Sequence, residues 1–116
     1  VRYKDLEASE PVAASEEILD RVMQARSIQL ARFEGKGIHA NARMTTRQLK
    51  KHCLVDEASS RLLERAMERF GLSARAHARV LKIARTIADL EASPEIRAPH
   101  VAEAIQYRSL DRRVIK

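Results

Sequence analysis

Apolar positions recur along this chain at intervals of three and four residues, the spacing that lines one face of a helix. The first such stretch runs through Ile18, Val22, Ala25 and Gln29. Ser15 is placed as its N-cap, with Glu16 and Glu17 in the first turn, where the helix dipole favours acids. This predicts a long helix over 15–33. Residues 1–14 lack the period: Tyr3 and Leu6 alternate with charges, and Pro11 argues against a helix across it. They read as an irregular lead-in from a preceding core. Residues 34–44, EGKGIHANARM, hold two glycines and two alanines around one asparagine without periodicity, and predict a flexible loop.

A helical bundle is predicted over 45–112. Thr45 with Gln48 three residues on is a capping-box pattern, opening a short helix through about His52. Asp56 can cap the next helix, whose stripe is Leu62, Leu63, Ala66, Met67 and Phe70. Gly71 sits where a left-handed terminating residue is wanted. Ser73 caps the helix that follows, running to about Glu91. Ser93-Pro94 ends that run, and Pro99 suits the first turn of a last helix with apolar positions Val101, Ala104, Ile105 and Leu110. The expected fold class is all-α: a small helical bundle with a preceding long helix and flexible loop.

The helix after Ser73 has two arcs when its residues are placed about 100° apart. Ala76, Val80, Leu81, Ile83, Ala84, Ile87 and Ala88 form a broad apolar arc, which suits a central helix packed by several neighbours. Arg75, Arg79, Lys82, Arg85, Thr86 and Asp89 form the other. Its four cations make the strongest local positive patch. Arg79, Lys82 and Arg85 are expected to be solvated company, paired with acids of neighbouring helices, with Arg79 and Lys82 as candidates for secondary phosphate contacts. Arg75 stands apart. It follows a glycine-serine break at an open helix start, where both the guanidinium and the helix end attract phosphate oxygens.

Composition narrows the classes. The chain has 116 residues, enough for about one domain, with 3% aromatics and 33% charged residues. Its formal charge of +6 permits contacts with nucleic acid or nucleotide phosphates. A single Cys53 excludes an internal disulfide and points to a reducing compartment. There is no secretory signal and no apolar run of membrane-spanning length, so a soluble, cytoplasmic protein without a membrane partner is expected. The chain does not begin with Met and reads as a segment of a longer protein. His52 and Cys53 adjoin, but His39, His77 and His100 are scattered, so no metal site is expected. His77 falls on the apolar side of its helix and reads as a structural histidine. Gln29 reads either as interfacial or as a satisfied polar residue of the core. No catalytic arrangement of nucleophile and base is legible.

GLSARAHARVLKIARTIADL, followed by APHVAEAIQYRSLDR, resembles the C-terminal domain of magnesium-chelatase-like AAA+ ATPases, nearest to the competence protein ComM group. Upstream, SEEILDRVMQARSIQLARF and LKKHCLVDEASSRLLERAMERF extend the likeness to residues 15–112. The resemblance implies a helical lid that closes over ATP bound to a core domain and supplies a sensor-2 arginine near the γ-phosphate. The family motif is Gly-x-Ser-x-Arg-Ala, here Gly71, Ser73, Arg75 and Ala76, so Arg75 would carry that role. Where many relatives have proline before this arginine, Ala74 stands here, leaving the helix start less rigid. Gly35 and Gly37 do not form a phosphate loop, so neither a catalytic residue nor bound ATP is expected within these residues alone. ATP with Mg²⁺ is implied for the full-length protein. Its implied partners are its own AAA+ core and neighbouring subunits of a ring, expected as a hexamer. DNA is the implied substrate of a helicase-type motor. The rival reading is a stand-alone basic helical module binding DNA through Arg75, Arg79, Lys82 and Arg85.

Overall fold

A computed structural model describes the backbone of residues 12–115 and the side chains of 15–107. Among the described residues five helices follow in order: α1 Val12–Arg32, α2 Thr46–His52, α3 Glu57–Phe70, α4 Ala74–Leu90 and α5 Ala98–Ile115, with a 3-10 turn at Asn41–Arg43 between α1 and α2. Among the described residues there is no strand, only one isolated parallel bridge between Val55 and Ile96 that ties two interhelix loops together. The all-α bundle is therefore as the periodicity predicts.

The punctuation residues act as their chemistry requires. Thr45 accepts from the Gln48 backbone N–H while the Gln48 side chain accepts from the Thr45 N–H, closing the capping box of α2. Asp56 caps α3 through the Ser59 N–H. These bonds hold the Asp56 carboxyl below its ordinary range, the Ser59 side-chain bond first and its backbone bond next. Gly71 ends α3 at φ 60°, a left-handed conformation that suits a residue without Cβ.

One boundary differs. α1 begins at Val12, so Ser15 lies inside the helix and does not cap it. Ala13 and Ala14 have the highest helix propensity and carry the helix back past the serine. The expectations for residues 1–11 and for the Leu110 side chain fall outside the described residues.

α4 is the spine. α5, α1, the 3-10 turn and α2 all pack on it, and Val80, Ala84 and Ala88 on its apolar arc are wholly enclosed. Phe33, Met44, Leu49, Cys53, Leu63, Ile96, Val101 and Ala104 complete one core cluster. The loop after α1 contributes too. It folds back so that Asn41 and Met44 are buried, more closely held than its glycines suggest. This arrangement fixes the two ends of α4 in contrasting surroundings.

Candidate functional site

The N-terminal end of α4 is built by a stop and a start only two residues apart. The Gly71 and Leu72 N–H groups both return to the Met67 carbonyl, the latter at 3.1 Å, which seals the end of α3. Ser73 is extended, and its Oγ accepts from the Ala76 N–H at 3.2 Å, fixing the first turn of α4. Arg75 is the second residue of that turn and is exposed, with no hydrogen bond or ion pair to any described residue. Arg79 is exposed on the same face. Lys82, half-buried, donates to the Ala42 carbonyl at 3.3 Å, so one end of its strip is tied to the 3-10 turn. His77 is half-buried, as its place on the helix predicts.

The C-terminal end corrects one expectation. Arg85 is not solvated company: it is 4% exposed. Its Nε donates to Asp89 at 3.2 Å, and its terminal nitrogens reach the carbonyls of Ser93 at 2.7 Å and Pro94 at 3.3 Å. Asp89 is 0% exposed and takes a two-pronged bond from Arg32, both at 2.8 Å. Asn41 donates to Asp89 at 2.9 Å and to the Thr86 hydroxyl at 3.0 Å, and accepts from Arg32 at 2.9 Å. Gln29 completes the cluster by accepting from the Asn41 backbone N–H at 3.0 Å, which makes it a satisfied core residue. The physical reason is coverage. The end of α1 and the 3-10 turn lie over this part of the polar arc and turn it into an interior ionic seam.

Electrostatics follow from that seam. Burial by itself raises the Asp89 carboxyl, but the hydrogen bonds of Arg32 and Asn41 and the charges of Arg32 and Arg85 outweigh it and hold it below the ordinary range. His52 packs edge-on to Phe33 at 5.6 Å; burial lowers it first, then the cations Arg32, Lys51, Arg85 and Lys36. The buried Cys53 thiol is pushed up to about 11, chiefly by burial, so it packs as an inert neutral group.

The sequence reading missed this seam, although a signal was present. Gln29 interrupts an apolar stripe, and Arg85 with Asp89 form an oppositely charged pair four residues apart. What sequence spacing does not show is that Arg32 and Asn41, from two other elements, close over that pair.

Chemically, the exposed end offers a guanidinium on a capped helix start, suited to clamping oxyanions carried by another body. No group of His, Cys, Asp and Glu among the described residues is arranged to hold a metal. Among them no helix is long and apolar enough to cross a membrane.

Residues 12–108 match the family described as magnesium chelatase, subunit ChlI C-terminal. The chain is 38% identical over 98 residues to the competence protein ComM of Haemophilus influenzae, covering 84% of this chain and 18% of that protein. It is 44% identical over 75 residues to the uncharacterized protein YifB of Salmonella typhimurium, covering 65% and 15%. With the YifB protein of Escherichia coli it shares 37% identity over 105 residues, covering 90% and 20%. The chain thus spans at most a fifth of the length of these curated relatives. No solved structure matches it.

Proposed function

This chain belongs to the magnesium chelatase ChlI C-terminal family, in its ComM-like branch, and from that premise we propose that it is the lid of an AAA+ ATPase whose Arg75 reads the γ-phosphate of bound ATP. The observation that carries this reading is Arg75 itself, exposed on a capped helix start and unpaired among the described residues. A cation with an internal partner would have to break that bond before meeting a phosphate; among the described residues Arg75 has none to break. Its planar fork suits two-pronged contact with phosphate oxygens, and the adjoining helix end adds positive potential. Arg79 and the half-buried Lys82 lie further along the same face and are secondary phosphate contacts in this reading.

ATP is held mainly by a core domain outside these residues, which also supplies the ligands for Mg²⁺. The parent polypeptide is then a ring-forming, DNA-processing motor of the helicase type, working in the cytoplasm, in which lid movement couples nucleotide state to work. The name competence protein given to the Haemophilus relative supports that direction. A stand-alone DNA-binding module is the weaker account. It relied on four cations, and the burial of Arg85 removes one of them.

The test is ATP turnover by the full-length polypeptide. Arg75→Ala is expected to lower it roughly a hundredfold, the usual effect of removing one preorganised electrostatic contact. Arg75→Lys keeps the charge without the fork and should recover only part of the loss. Wild-type turnover in Arg75→Ala would remove this residue from the mechanism.

A further inference from the structure

The apolar stripe of α1 does not end where the bundle ends. Ile18, Val22, Ala25 and Gln29 lie on one helix face, at spacings of four, three and four. Ala25 is 3% exposed against the bundle, whereas Val22 is 40% and Ile18 52% exposed. Beside them Leu19 and Met23 are also exposed. One face is therefore buried at one end and bare at the other. Scattered single apolar residues on a surface are ordinary, but four within six positions, continuous with a buried stripe, form a patch.

We propose that this bare end, Ile18, Leu19, Val22 and Met23, docks against the ATPase core of the same polypeptide. The proposal rests on the lid reading given above. Three observations choose this occupant. The matching family is by its description a C-terminal region, and the curated relatives are about five times the length of the stretch they share with this chain. Of the five exposed large apolar residues described on α1, four fall between Ile18 and Met23, with Leu30 apart from them, so the patch lies towards the end joined to whatever precedes it. The other half is locked to α4 by the Arg32–Asp89 bond, so a body held by the bare end is held by the whole lid. α1 is then a rigid strut with one end in each domain. Core and lid cannot move relative to each other without turning it.

Amide hydrogen exchange on the full-length polypeptide, without nucleotide, tests this separately from Arg75. The amides of residues 16–24 should exchange at least an order of magnitude more slowly in the full-length polypeptide than in the 116-residue chain. That protection should persist when the ring is diluted to single subunits. Met23→Asp should abolish it while leaving the amides of α4 as slow as before. Equal exchange in the two forms would overturn the proposal. So would protection that vanishes on dilution, which marks a neighbouring subunit, or protection of the short chain that rises with its concentration, which marks a second copy. Loss of ATP turnover in Arg75→Ala leaves all of these readings unchanged, so the two ideas fail independently.

Discussion

The two ends of α4 carry the same residue type on the same face and use it in opposite ways. Arg85, at the C-terminal end, is enclosed between Asp89 and three backbone carbonyls. Arg75, at the N-terminal end, projects without a described partner. Helix periodicity treats them alike. What separates them is coverage: α1 and the 3-10 turn close over one end and leave the other bare. A strip of cations is therefore not one feature. Each guanidinium is structural or available according to what neighbouring elements bring to it.

The largest effect should come from breaking the enclosed end. Asp89→Ala leaves Arg32 and Arg85 in a buried setting without their shared carboxylate, and uncompensated buried charge is costly. A loss of about 3–5 kcal/mol is expected in urea unfolding of the chain. A loss below about 1 kcal/mol would put the seam in the class of exposed ion pairs and dissolve the contrast between the two ends.

The same carboxylate gives the comparison a pH signature. Its folded value lies below the ordinary carboxylate range, so in acid the unfolded chain binds the proton more readily than the folded one. The stabilisation is complete above about pH 4, the ordinary value, and is lost as pH falls through the lower folded value. Wild type and Asp89→Asn should accordingly differ most near neutrality and converge in acid. A gap that stays constant from neutrality down to strong acid would contradict the charge-based account.

Much of this was legible in the sequence because it is local. Ser73, Asp56, the Thr45–Gln48 box and Gly71 act within four residues of themselves, so spacing alone placed them. The exception, Ser15, fell inside α1 because neighbouring alanines extend a helix at almost no energetic penalty. The seam is different. It joins Arg32 to Asp89 across 57 positions and Asn41 to Asp89 across 48, and no window on the sequence spans those separations. Arg85 was misjudged for another reason: most of its partners are backbone carbonyls, those of Ser93 and Pro94 in the following loop and of His52 at the end of α2, which the pattern of side chains does not reveal. Arg75 was singled out by a family motif at a capped helix start, a local feature, and its exposure agrees with the role proposed for it.

A smaller effect should come from the start of α4. Ser73→Ala removes the one side-chain cap of that helix and is expected to destabilise the chain by about 1 kcal/mol. Its more telling readout is turnover of the full-length polypeptide. If Arg75 must be held on a rigid first turn, turnover should fall with Arg75 still present. A stability loss with unchanged turnover would show that the cap serves only the fold.

The smallest effect on stability should be that of Arg75→Ala, within about 0.5 kcal/mol of wild type, as for surface residues without special contacts. This near-zero result is as informative as the large one, because a structural arginine does not give it. Arg75 and Asp89 lie fourteen residues apart on one helix, roughly 21 Å along its axis, and share no partner. Their effects on unfolding should therefore add, with an interaction energy no greater than about 0.5 kcal/mol in a double-mutant cycle. Coupling well above that would mean the exposed end is tied to the enclosed end after all. In that case a fall in turnover on losing Arg75 would reflect disturbance carried down α4, and the lid's contact with phosphate would need another cation, with Arg79 next on the same face.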